Sequence, residues 1–440
     1  MADYNTGGTN VNRIALVMHT TSYGADGFVA ACSRVGAAVV LASDRCHVLD
    51  RSWHWPADSL VIDFADPDVA ATAIAAADSE TAPIRAVLPV GGELPAKVAA
   101  AAARRLGLAA NAPEAMAAAA NKLAMRKRLA ASPDPDVVQP RFTDIERDAD
   151  AGSVADAIAA ATGVGFPCVV KPLMLSGSRG VMRADDPATL AAALARLSRL
   201  LADPAVRRPD PVAADRILIE SFVPGPEFAV EGILTRGHLH VVALYDKPDP
   251  LDGPTFEETL YVTPSRLRAD DQQRIVATAA AGARALGLET GPVHAELRWN
   301  DGQPAIIELA ARSIGGLCAR SLRFADGLSL EDVVVRHALG DAVPARERRA
   351  SGVMMIPVPA RVPSALRAVD GVDDARSVDG VDDVVIATRI GETLTPLPEG
   401  SHYTGFIFAS GDTAAGVEHA LRTAAGRLRF TVAPLVAVTR

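Results

Sequence analysis

Two glutamates close together in the chain offer metal chemistry. In VHAELRWNDGQPAIIELA, residues 293–310, Glu296 and Glu308 flank the turn formers Asn300, Asp301 and Gly302. A three-residue loop with a left-handed glycine is a common hairpin connection, and it pairs Trp299 with Gln303. That register predicts His294 opposite Glu308 and Glu296 opposite Ile306 on one face. Val293, Ala295, Leu297, Trp299, Ala305, Ile307 and Leu309 make the other face apolar and fit to pack inward. Carboxylates brought together repel unless a cation joins them, and Mg²⁺ prefers oxygen ligands plus phosphates. The competing reading leaves both glutamates on a solvated face, paired with Arg298 or Arg312. A two-residue turn would split them.

Other segments offer charge for an anion. Lys171 closes the apolar run VVKP, and SGSRGV follows at 176–181. The N–H groups around Ser176, Gly177, Ser178 and Gly180 can curl over phosphates, with Lys171 as a point charge; such turns also simply connect strands. In ILIESFVPGPEFAVEG, alternation puts Glu227 and Glu231 on one face, away from Phe228 and Val230, and Glu227 can accept from ribose hydroxyls. Glu93, in PVGGELP, follows an early strand where α/β folds bind ligands; its plainer role is a helix N-terminal charge. The turn-rich segment 247–267 carries Glu257, Glu258 and Tyr261 and can border a substrate pocket, or be a solvated loop. His294 either orients substrate or bonds to Glu308. His238 and His240 share a strand face without a third ligand at useful spacing, which reads as surface.

Composition narrows the classes. A 440-residue chain is too long for one core, so two or three packed units are expected. The net charge of −9 gives no footprint for nucleic acid. Cys32, Cys46, Cys168 and Cys318 lack paired spacing and catalytic partners, and no charged start followed by an apolar core opens the chain, which points to the reducing cytoplasm. Apolar runs are too short for a bilayer of about 20 helical residues.

Strand signals at 14–19, 37–42, 59–64 and 86–90 alternate with Ala-rich helical stretches and predict a parallel α/β layer, after a loose polar start of a dozen residues. The first turn, HTTSYGADG, lacks the glycine fingerprint of dinucleotide binding, which argues against NAD. A helix is expected over 114–131, stopped by SPDPD. Short strands then point to an antiparallel lobe with a helix at 187–201. A further helix over 271–286 would be capped by Asp270 and ended by Gly287. Residues 346–440 repeat strand and helix signals without obvious chemistry. The expected units are 13–115, 116–345 with a mobile lobe at about 135–222, and 346–440.

Lys122 in ANKLAMRKRL, Lys171 with its loop, the stretch Glu220 to Glu227, and Glu296/Glu308 followed by Arg312 together resemble the ATP-grasp superfamily. HAELRWNDGQPAIIELAARSIGG and GPEFAVEG look closest to its carboxylate-amine ligase branch, the bacilysin-type L-amino acid ligases; D-alanine:D-alanine ligase is a more distant likeness. The resemblance implies ATP held between two lobes, with Lys122 and Lys171 on phosphates and the backbone of Glu220, Ser221, Phe222 and Val223 on adenine. Glu227 falls on ribose, and Glu296 and Glu308 on Mg²⁺, with Mn²⁺ as a substitute. Arg312 takes the reacting phosphate, Gly315 and Gly316 the nearby turn, and Glu258 a substrate amino group. Ala310 stands where many members have asparagine, as in the L-amino acid ligase branch. The implied fold is α/β: an N-terminal parallel domain, a small antiparallel lobe and a larger α+β catalytic and C-terminal unit. The implied activity is amide or dipeptide formation from a small carboxylate and an amine through an acylphosphate, by an enzyme that is a homodimer. Carboxylation through carboxyphosphate and a non-catalytic nucleotide-binding protein are the rival readings.

Overall fold

The computed structural model describes residues 12–20, 22, 24–44, 57–160 and 163–435, so Cys46 and the polar start up to residue 11 lie outside the described residues. β1 (Arg13–Met18), β2 (Ala38–Ser43), β3 (Ala57–Val61) and β4 (Ile84–Pro89) form a parallel sheet in the order β3-β2-β1-β4. Successive β1 residues alternate between two cores: Ile14, Leu16 and Met18 in one, Ala15 and Val17 in the other. A sheet buried on both faces reads as a continuous apolar run. β3 stops before the expected 59–64 span ends, because Asp63 accepts from Ala65 N–H and Asp66 caps the helix Pro67–Ala76.

The helix expected over 114–131 is two helices, Pro113–Ala120 and Lys122–Ala130. Asn121 breaks it with extended backbone, and its side chain accepts from the Leu123 and Ala124 N–H groups at 3.1 Å each. Alanine content favours helix everywhere in this stretch, but an Asn N-cap wins locally. Lys122 thereby becomes the first residue of a helix, and its N–H reaches Leu173 O at 2.9 Å.

β5 (Phe142–Glu146), β6 (Cys168–Pro172), β7 (Met182–Ala184) and β8 (Arg216–Ser221) make an antiparallel lobe ordered β5-β8-β6-β7. The helix Pro187–Ala202, started by an Asp186/Thr189 capping box, covers it with Leu190, Leu194, Leu197 and Leu201.

The largest sheet runs β13-β12-β9-β10-β11-β14-β18-β16. Its strands are β9 (Glu227–Thr235), β10 (His238–Lys247), β11 (Leu260–Thr263), β12 (Thr290–Asn300), β13 (Gln303–Ala310), β14 (Ala350–Ile356), β16 (Val381–Ile386) and β18 (Gly405–Gly411). Residues beyond 346 therefore continue the sheet that carries the glutamate hairpin. β15 (Ser364–Asp370), β17 (Thr393–Leu394) and β19 (Arg429–Pro434) form a separate small sheet. The helix Ala269–Leu286 ends at left-handed Gly287, but Arg268, not Asp270, stands at its N-cap, and Asp270 lies within its first turn. Among the described residues no helix is long and apolar enough to cross a membrane.

The hairpin corrects the expected register. Asn300 pairs with Gln303, so the loop is the two residues Asp301 and Gly302, with φ of 49° and 80°. Positive φ at both central positions is the turn that matches strand twist. That loop alone would have put Glu296 and Glu308 on opposite faces. A bulge at Ile307 shifts the register by one, and Glu296 pairs directly with Glu308. Ile306, rather than Ile307, joins Ala295, Leu297 and Leu309 in the apolar core.

Candidate active site

A cavity of about 740 Å³ lies between these elements, lined by Lys122, Lys171, Glu296, Glu308 and Arg312 among others. Ser176, Gly177, Ser178, Glu220 to Val223, Glu227, Glu258, His294, Gly315 and Gly316 also line it. Gly180 closes the 176–180 loop, with left-handed φ at Gly177, Ser178 and Gly180. Glu93 lies beside Lys122 and Glu308 in an adjoining recess.

Three cations organise one end. Lys122 Nζ donates to Leu175 O at 2.8 Å and reaches Glu308 Oε1 at 3.2 Å. Lys171 Nζ sits 2.7 Å from Glu220 Oε2, and Arg126 Nε 2.6 Å from Glu220 Oε1. Burial pushes the Glu220 carboxyl up, yet Arg126 and Lys171 outweigh it and hold it at about 2. Arg126 is fully buried and also donates to Ile306 O at 2.9 Å and Ile307 O at 2.6 Å. It thus ties the bulge to the lobe. The sequence signal was its position four residues after Lys122, which puts both on one helix face.

The adenine expectation narrows, because Ser221 N–H donates to Arg141 O and Phe222 N–H to Pro167 O. The Phe222 ring has the Arg183 guanidinium 4.3 Å from its centroid and that of Arg298 at 5.0 Å. Arg298 pairs with Glu227 Oε2 at 2.8 Å, not with Glu296 or Glu308. Glu227 and Glu231 do share a face of β9, opposite Phe228 and Val230, which enter a different core from Ala229 and Ile233.

At the other end, Lys247 Nζ lies 2.7 Å from Glu227 Oε1 and 3.2 Å from Glu296 Oε1, and also bonds Glu258 Oε1. Burial alone would lower Lys247; the three carboxylates raise it well above its ordinary value. Burial dominates at Glu258, moving it up to about 7 although Lys247 opposes this. At Glu296 burial is outweighed by Lys247 and His294, so it stays well below the ordinary range. Tyr261 OH donates to Glu258 Oε1 at 2.8 Å and Tyr403 OH to Glu258 Oε2 at 3.4 Å. Lys247 was missed in the sequence, though pairing β9 with β10 sets it opposite Glu227.

His294 pairs with Ala310, not Glu308, and bonds Glu231 Oε2 through Nδ1 at 3.0 Å and Glu296 Oε1 through Nε2 at 3.4 Å. Burial pulls its pKa down, but the two glutamates raise it to about 9, and in the protonated form both ring nitrogens donate. Glu231 also accepts from Ile314 N–H at 3.0 Å. Arg312 donates to Glu93 Oε1 from Nε at 3.1 Å and NH2 at 2.9 Å. Arg312 chiefly offsets the burial of Glu93 and keeps that carboxyl below its ordinary value. Among the described residues, carboxylate oxygens of Glu227, Glu258 and Glu296 come within 4.8 Å of one another, a trio that overlaps the expected Glu296/Glu308 pair at Glu296. The Glu296/Glu308 pair is all oxygen, the donor type that suits Mg²⁺ or Mn²⁺, whereas the Lys247 ammonium already sits among the carboxylates of Glu227, Glu258 and Glu296. His238 and His240 rings meet edge to face at 4.7 Å, and Cys32, Cys168 and Cys318 are free and buried.

Residues 164–321 match the family model described as ATP-grasp domain, and residues 358–433 match L-amino acid ligase C-terminal domain 2. An uncharacterized protein of Sinorhizobium fredii is 26% identical over 325 residues, covering 73% of this chain and 63% of that protein. Alanine–anticapsin ligase of Bacillus subtilis is 26% identical over 248 residues, covering 53% and 50%. The chain thus spans less than two thirds of the length of these curated relatives. The crystal structure of L-amino acid ligase from Bacillus licheniformis has a TM-score of 0.78 at 24% identity, over 96% of this chain and 98% of that one. The fold is the ATP-grasp fold of that structure.

Proposed function

Because the chain carries an ATP-grasp domain and an L-amino acid ligase C-terminal domain, we propose that it is an ATP-dependent carboxylate-amine ligase. It joins an L-amino acid or related small carboxylate to an amine through an acylphosphate and releases ADP and phosphate. The observation that carries this reading is the meeting of Lys122, Lys171, Glu296, Glu308 and Arg312 on one cavity.

Carboxylate oxygen is a poor leaving group, so phosphoryl transfer must precede attack by the amine. The protein's work in that step is positioning and charge neutralisation. Lys122 and Lys171 neutralise phosphates under the loop of Ser176, Gly177, Ser178 and Gly180. Val223 supplies the N–H for adenine, since those of Ser221 and Phe222 are engaged, and Glu227 accepts from ribose. Glu296 and Glu308 would hold Mg²⁺, or Mn²⁺ in its place, which when bound would supply charge neutralisation at the transferring phosphate. Arg312 and the turn at Gly315 and Gly316 face the same phosphoryl group, and Glu93 holds the Arg312 guanidinium in place. His294 donates from Nε2, and Glu258 receives the substrate amino group. The proposed division is 13–115, 116–345 and 346–440, in a cytoplasmic homodimer.

The test is phosphate release with ATP, Mg²⁺ and amino acids, singly and in pairs, followed by product mass. An added mass equal to the pair minus water supports the ligase. Turnover stimulated only by bicarbonate, or by no carboxylate and amine pair, overturns it.

A further inference from the structure

The C-terminal residues reach back to the phosphate loop. Residues 396–400 form a tight turn in which Gly400 N–H donates to Pro396 O at 2.9 Å. A Cβ at Gly400 would fall 1.7 Å from Thr395 O, so only glycine closes this turn. Its outer side meets the lobe. Pro398 O accepts from Gly180 N–H at 2.8 Å, and Glu399 O from Arg179 Nε at 2.7 Å. The Glu399 carboxylate takes Arg196, on the helix Pro187–Ala202, in a bidentate pair at 2.5 and 2.7 Å. Gly177 packs so closely on Ser401 that an added Cβ would lie 3.3 Å from the Ser401 Cβ. Two residues further on, Tyr403 reaches Glu258.

These contacts do two things. The Gly180 N–H is spent on protein, so the turn fixes which loop N–H groups remain for an anion. They also link the loop to the Glu258 end of the cavity through one short segment. Exposed pairs contribute little to stability, and the Arg196 and Glu399 side chains are 45% and 39% exposed. Their bidentate geometry instead fixes orientation.

We propose that residues 396–403 form a clasp that positions the phosphate loop over the nucleotide, with Glu399 as its positioning residue through Arg196. The clasp rests on the nucleotide-binding reading of the cavity. A loop held from outside is pre-organised, so releasing it weakens nucleotide binding more than it weakens the fold.

The test uses the full chain and measures ATP and ADP binding by calorimetry with Mg²⁺, together with KM for ATP, kcat and thermal midpoint. The set is Glu399→Ala, Arg196→Ala, the double variant, and the exchanged pair Glu399→Arg with Arg196→Glu. Each single variant is expected to weaken nucleotide binding and raise KM for ATP by about 3- to 10-fold, with little change in kcat or midpoint. The double variant should match the singles, and the exchanged pair should recover most of the affinity. Wild-type affinity in the singles, or fully additive losses in the double variant, overturns the clasp while leaving the nucleotide site standing. A wild-type chain that binds no nucleotide overturns both.

Discussion

Glu220→Ala is expected to destabilise the protein strongly at neutral pH and less in acid. The wild-type carboxylate lies between Arg126 Nε at 2.6 Å and Lys171 Nζ at 2.7 Å, all three side chains being buried. A carboxyl held at about 2 against an ordinary 4.5 corresponds to about 3 kcal/mol of stability. Removing one partner of a buried pair typically costs about 3 to 5 kcal/mol, so the two routes agree. The folded-state value is depressed, so this contribution is present above about pH 4.5 and is lost as pH falls toward 2. At about pH 3.5 roughly 2 kcal/mol should remain. Urea unfolding of wild type and variant at pH 7 and at about pH 3.5, followed by circular dichroism, measures both gaps. A gap under about 1 kcal/mol at pH 7, or one that fails to narrow in acid, refutes the argument.

Arg312→Ala should lower kcat by about 10²- to 10³-fold, the usual cost of removing one preorganised charge stabiliser; near-normal turnover would contradict its assignment. Deleting Ile307 should remove the bulge yet leave Glu308 directly after Ile306 and opposite Glu296, so Mg²⁺-dependent ATP turnover should survive it far better than in Glu308→Gln. A loss in the deletion as deep as in Glu308→Gln would mean that this register does not assemble the pair. Gly225→Ala should cost at least about 2 kcal/mol, because φ is +100° and the new Cβ would sit 2.0 Å from Trp299 O. A thermal midpoint within a degree of wild type would count against that clash.

What the sequence reveals depends on how local the deciding interaction is. β1, β2 and β4 are legible because each apolar run feeds two cores, and Gly287 ends its helix through its own backbone freedom. The glutamate hairpin is legible in content but not in register. Asn-Asp-Gly suits either loop length, and the bulge carbonyls bind Arg126, 180 positions earlier. The break at Asn121 is a local cap hidden in an alanine-rich run that favours helix. Lys247, Tyr403 and Glu399 gave no signal because their partners come from other strands and loops, up to 203 positions away for Arg196 and Glu399.

The long mixed-origin sheet bears on how such a chain can be recombined. The edge strand β13 carries Glu308, and the opposite end, β14-β18-β16, comes from residues after 346. A chimaera cut at that point would exchange a run of backbone hydrogen bonds along β11 and β14, where Tyr261 pairs with Val353, rather than swapping a bead on a string. Tyr261 also bonds Glu258, so a mismatched graft would disturb the cavity along with the seam. Grafts that preserve the β11–β14 register and vary only the loops are the ones this architecture tolerates.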